Sequence, residues 1–186
     1  MKFCSDCGSS VSQRVPQGDN RPRFICDECD AIHYQNPRII TGCLVEHQNQ
    51  ILLCKRAISP RKGFWTLPAG FMENGETIEE SALRETWEEA EAKVHKPSLY
   101  AVFNLPYINQ VYIFYRGTLV DGQFGAGIET LESRLFSEED IPWDALAFPT
   151  IHKVLKFFYN DCKDQIFPVR IEDINPFSQN NIEAQR

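Results

Sequence analysis

Residues 67–92 read LPAGFMENGETIEESALRETWEEAEA, and the charge of this stretch governs how the rest of the chain is read. Between Glu73 and Glu91 it holds eight acids and one base, Arg84. Thr77 followed three residues later by Glu80 makes a capping-box pattern, which predicts a helix from about Ile78 with Glu79 and Glu80 at its positive end. On such a helix Glu85, Glu88 and Glu89 share one side with Ser81 and Ala92, while Leu83, Thr86, Trp87 and Ala90 share the other. Like charges three and four residues apart each cost about 0.2–0.5 kcal/mol, so three on one turn favour a bound cation. Hard divalent ions, magnesium or manganese, suit these oxygen donors opposite a phosphate-bearing substrate. A solvated acidic face is the alternative that charge alone leaves open.

The spacing goes further. Gly70, five residues, Glu76, seven residues, Arg84-Glu85, Thr86, one residue and Glu88-Glu89, preceded by Leu67-Pro68-Ala69, closely resembles the signature box of the Nudix hydrolases. The family pattern continues with one residue, a glycine and an aliphatic; here Ala90, Glu91 and Ala92 stand there. Because that glycine helps to end the helix, its loss bears on helix termination and packing more than on catalysis.

Four of the seven cysteines form a second pattern: Cys4-x2-Cys7, eighteen residues, then Cys26-x2-Cys29. That spacing predicts one structural zinc in a closed four-thiolate site, since so short a segment poor in core formers needs a metal to fold. His33 is the nearby competitor as a ligand. Cys43, Cys54 and Cys162 read as small buried hydrophobes. An odd thiol count with no N-terminal apolar leader fits a reducing compartment, and a cytoplasmic protein is expected.

The whole chain is 186 residues with 42% hydrophobic residues, enough for one core and a small extra unit. A net charge of -7 argues against an extended nucleic-acid surface or an anionic membrane as partner, and no run is long enough to span a bilayer. The expected division is a ribbon over 1–36, a catalytic domain over 37–172 and a flexible tail over 173–186. Strands are predicted at 38–46 and 50–56 around a turn at Gln48-Asn49, at 64–67, 99–105, 110–120 and 129–136. Ile151, Val154, Leu155 and Phe158 predict a core-packing helix over 149–161. Gly125-Ala126-Gly127 reads as a simple turn, because nothing helical follows it.

Periodicity alone gives α plus β; the resemblance implies an α/β fold, a mixed-sheet α/β/α sandwich behind the zinc ribbon. It resembles the branch of NADH pyrophosphatases and FAD or ADP-ribose pyrophosphatases. By that resemblance Glu85, Glu88 and Glu89 hold two or three magnesium or manganese ions with the Ala69 carbonyl, Glu76 supports the loop or makes an outer-shell contact, and Glu129 is the distal ligand with Glu132 its rival. Arg84 would orient a box glutamate rather than touch substrate. Arg56, Phe71, Phe103 and Tyr107 are candidate substrate contacts. The implied reaction is hydrolysis of a small nucleotide diphosphate, ADP-ribose or FAD, by a homodimer. An NADH or NAD-cap hydrolase and a non-catalytic nucleotide- or RNA-end-binding module stay open beside it. NADH pyrophosphatases carry a run resembling SQPWPFP after the box. Residues 103–110, FNLPYINQ, keep one proline and lack the tryptophan, which predicts weaker selection for NADH.

Overall fold

The computed structural model describes residues 1–175, and the chain divides into two compact units at Pro37. The first unit is a three-stranded antiparallel sheet of β1 (Val11–Arg14), β2 (Arg23–Cys26) and β3 (Ile32–His33), with β2 central. It has few buried side chains, and those that are fully or nearly buried include Cys4, Ile25 and Cys26.

The second unit is a mixed sheet between two helices. β4 (Arg38–His47) and β5 (Gln50–Arg56) form an antiparallel hairpin whose turn residues, Gln48 and Asn49, both have positive φ. Asn tolerates that left-handed conformation better than most residues, which suits the tight hairpin. β6 (Trp65–Thr66) pairs with β5, and β7 (Ala69–Phe71) pairs with β4. After α1 (Ile78–Ala90) come β8 (Val94–Leu105), β9 (Gln110–Leu119), β10 (Thr130–Phe136), α2 (Pro149–Asp164) and β11 (Arg170–Asp173). The sheet order is β10-β5-β4-β9-β8-β11, with β4–β9 and β8–β11 parallel and the other pairs of that order antiparallel.

Strand alternation assigns the faces. Leu44, Ile51 and Leu53 join Ile151, Val154, Leu155 and Phe158 of α2 in one cluster. Their neighbours Cys43, Val45, Leu52 and Cys54 join Ala82 and Ala90 of α1 in the other. Both faces of β4 and β5 are therefore covered, which explains their continuous apolar runs and yields the sandwich.

Three expectations change. Trp87, expected on one face with Leu83, Thr86 and Ala90, is half exposed beneath Lys93, while Thr86 and Ala90 are buried along with Ser81, Ala82 and Glu89. β8 begins at Val94 rather than Leu99; its first half is irregular around Pro97, which cannot donate to a ladder and masked the strand. Asp173 is not tail: β11 pairs with β8 over Arg170–Asp173, and Ile174 is 2% exposed in the core. The remainder of the expected tail, 176–186, lies outside the described residues.

Candidate active site

Local chemistry places α1 first. Thr77 accepts a hydrogen bond from the Glu80 N–H while Glu80 accepts one from the Thr77 N–H, so the capping box is complete. At the other end Glu91, in the position of the family glycine, takes the left-handed conformation (φ 48°) itself. That costs about 1 kcal/mol relative to glycine but still ends the helix at Ala90.

Arg84 ties the carboxylates together. It donates two parallel hydrogen bonds to Glu76, at 2.9 and 2.8 Å, and others to Glu85 (2.8 Å), Glu88 (3.0 Å) and the Phe71 carbonyl (3.2 Å). The guanidinium holds the Glu76 carboxyl down to about 2. Burial instead raises Glu85, against the pull of Arg84, and pushes Glu89 up to about 7 despite a 3.0 Å hydrogen bond from the Ala69 N–H. A desolvated carboxylate crowded by others is poorly stabilised without a positive charge. Gly70 leaves room for Glu85: a Cβ there would lie 2.1 Å from a Glu85 oxygen and displace that carboxylate.

These side chains line a cavity of about 910 Å³. Ala69, Phe71, Arg84, Glu85, Glu88 and Glu89 line it together with Arg56 and Tyr107, and Glu129 joins them from the loop before β10. Three predicted residues are elsewhere. Glu132 is an exposed partner of Lys55 at 4.0 Å, outside the cavity, whereas the charge of Glu129 acts on both Glu85 and Glu89. Glu76 sits behind Arg84, also receiving the Glu73 N–H at 2.6 Å. Phe103 is not a substrate contact: it is fully buried between Phe114 and Phe157, because its place on β8 points it into the α2-side core. The rim, where Ile58, Ile108 and Ile128 stand exposed with Tyr107 and Phe71, is not among the expected site residues beyond those two aromatics. Its one sequence signal is apolar residues set among turn formers.

The ribbon fits a tetrahedral ion. The sulfurs of Cys4, Cys7, Cys26 and Cys29 all lie within 4.8 Å of one another, with Cys4–Cys29 at 3.8 Å and Cys7–Cys26 at 3.4 Å. A zinc tetrahedron with bonds of about 2.3 Å has edges of about 3.8 Å. The N–H groups of Asp6, Glu28 and Cys29 donate to Cys4 or Cys26 sulfur, as tight knuckles do. His33 Nε2 contacts the Cys4 sulfur at 3.2 Å, beside the four thiols.

Residues 36–158 match the family described as NUDIX domain, and residues 2–35 match its zinc ribbon, described as Nudix N-terminal. The chain belongs to the Nudix family. This Nudix hydrolase is similar to a crystal structure of a NUDIX hydrolase from Nitrosomonas europaea, at 52% identity and a TM-score of 0.88, over 94% of this chain and 100% of that one. It is 34% identical over 116 residues to an ADP-ribose pyrophosphatase of Methanocaldococcus jannaschii, covering 59% of this chain and 67% of that protein. It is 38% identical over 91 residues to the NAD-capped RNA hydrolase NudC of Vibrio parahaemolyticus, covering 48% of this chain and only 32% of that longer relative. Nudix hydrolases use divalent metals, and the donor set here is of the right kind: Glu85, Glu88, Glu89 and Glu129, crowded oxygen donors that line one cavity.

Proposed function

We propose that this Nudix hydrolase cleaves the diphosphate of ADP-ribose or FAD, giving AMP and a phosphorylated remainder. The observation that carries the reading is one cavity uniting the carboxylates of Glu85, Glu88, Glu89 and Glu129, two arginines and an apolar rim. Glu85, Glu88, Glu89 and Glu129, with the Ala69 carbonyl, would hold two or three magnesium or manganese ions, whose chemistry is to acidify a water and offset diphosphate charge. The protein's own part is positioning. Ala69 N–H fixes one oxygen of Glu89, and Arg84 fixes Glu85 and Glu88 without leaving its own bidentate anchor on Glu76. A carboxylate of this edge takes the proton as water attacks phosphorus and the bridging P–O bond breaks. Arg56, held by the Pro60 carbonyl at 2.9 Å and stacked over Phe148, supplies a fixed charge for a phosphate.

The rim supports a substrate with flat rings. Ile108 and Tyr107 lie in the short 3-10 turn Pro106–Ile108, at the place where NADH pyrophosphatases carry their proline-rich run. Without a stiff tryptophan wall, selection for nicotinamide should be weak. The relatives' names support both an ADP-ribose reading and an NAD-cap reading; residues 103–110 favour the first. With magnesium or manganese, kcat/KM for ADP-ribose or FAD is expected to exceed that for NADH. Glu88→Gln or Glu89→Gln should remove most of kcat while the fold survives. A clear preference for NADH over both, or a Glu88→Gln plus Glu89→Gln double variant with wild-type rates, would sink the reading. A homodimer belongs to the same proposal, and light scattering of the purified protein tests it.

A further inference from the structure

We propose that Gly127, together with Gly125, is a positioning residue that locks Glu129 to the end of α1. The inference rests on the assignment of Glu129 to the carboxylate edge. A helix leaves its last four carbonyls without intrahelical partners. Here the loop before β10 takes two of them: the Gly125 N–H donates to the Ala90 carbonyl at 2.7 Å, and the Gly127 N–H to the Glu89 carbonyl at 3.1 Å. Glu89 therefore acts at both ends, its side chain in the cavity and its backbone under the loop.

The contact needs glycine for space rather than for conformation, since neither residue has a positive φ. A Cβ on Gly127 would lie 1.7 Å from the Glu88 carbonyl oxygen, which is backbone and cannot swing away. A Cβ on Gly125 would meet the Glu91 carboxylate at 2.3 Å, a milder clash with a side-chain end. Two residues beyond Gly127 comes Glu129, and its own backbone is pinned as well: its carbonyl accepts from the Ala57 N–H at 2.8 Å, and the Thr130 N–H donates to the Gly127 carbonyl at 3.0 Å. Glu129 is thus referenced to α1 on one side and to the end of β5 on the other. Any displacement of the loop from α1 moves the distal carboxylate relative to Glu85, Glu88 and Glu89, and misplacements of about 1 Å cost about a hundredfold in rate.

The test is a double-mutant cycle on the full chain with Gly127→Ala, Glu129→Gln and their combination. Gly127→Ala is expected to lower kcat about a hundredfold with KM nearly unchanged, and Glu129→Gln added to it should cost nothing further. Mn2+ binding to the substrate-free protein, followed by electron paramagnetic resonance, should weaken to the same extent in both single variants. Independent penalties that multiply, or a folded Gly127→Ala protein within twofold of wild type in kcat and Mn2+ affinity, overturn the proposal. If Gly127→Ala does not fold, Gly125→Ala enters the same cycle with a smaller expected loss and the same criterion. A neutral Glu129→Gln removes the Glu129 assignment, and this proposal with it. Wild-type protein that binds Mn2+ but cleaves no nucleotide diphosphate defeats the proposed function instead, and the Mn2+ arm still decides the lock.

Discussion

Glu89 is 8% exposed and its carboxyl is pushed up to about 7 by burial, against an ordinary value of 4.5. The folded state therefore binds more protons than the unfolded state between those two values. Stability of the metal-free protein must fall as pH rises through that window; the cost is absent below 4.5 and complete above 7. At about 1.4 kcal/mol per pKa unit the full cost is about 3 kcal/mol. Glu89→Gln keeps an acceptor for the Ala69 N–H and carries no charge. In chelator it should raise the melting temperature at pH 8 and leave it unchanged at pH 4, and added magnesium should stabilise wild type but not the variant. An equal effect at both pH values would remove the buried-charge account. Glu89 was legible as one of three acids on a helix edge, but its burial was not. The period of α1 places Glu85, Glu88 and Glu89 together, and only the third dimension shows that β7 packs on Glu85 and Glu89 while Glu88 stays exposed.

At the scale of elements, the hidden piece is β11. Three of its four residues are polar and the fourth, Ile171, is exposed, and they pair in parallel with a strand some seventy residues earlier, a pairing that no local pattern announces. What fastens it is charge. Asp161 on α2, 4% exposed, accepts from the Tyr100 hydroxyl at 2.7 Å and is gripped by both Arg170 nitrogens, while Lys153 pairs with Glu172 and Asn104 with Asp173 at 2.9 Å. Asp161→Ala leaves a buried hydroxyl without its acceptor and a partly buried guanidinium without its carboxylate, a loss of about 3 kcal/mol. Denaturant unfolding should show that loss with kcat at 25 °C unchanged, because the cavity is lined from other elements. A change below 0.5 kcal/mol would mean that solvent replaces these bonds. By contrast α1, α2 and the β4–β5 hairpin were legible, since caps, a 3.6-residue stripe and turn chemistry are local signals. In sequence the Gly125–Gly127 segment reads as a plain turn because its partner, the end of α1, is distant along the chain.

Across the whole molecule, the two units are stabilised by different means. Residues 38–175 bury two apolar clusters against the faces of a sheet, enough to fold on hydrophobic grounds. Residues 1–37 contribute little beyond Ile25 and the buried cysteines to any core, and their strands are two to four residues long. A segment of that size without a core is expected to fold on a metal, so that zinc binding would supply its folding free energy. Purified protein should carry one zinc per chain, and Cys4→Ser plus Cys26→Ser should abolish it. Hydrogen exchange after chelation should show amides of residues 1–37 losing protection first, with those of β4, β5 and β9 still protected. Because the carboxylate edge lies wholly within the second unit, the zinc-free protein should regain diphosphate hydrolysis when magnesium is restored. Zinc still stoichiometric in the double variant would refute the four-thiolate site. Collapse of both units together on chelation would refute their separate stabilisation, and would make the ribbon part of the catalytic fold.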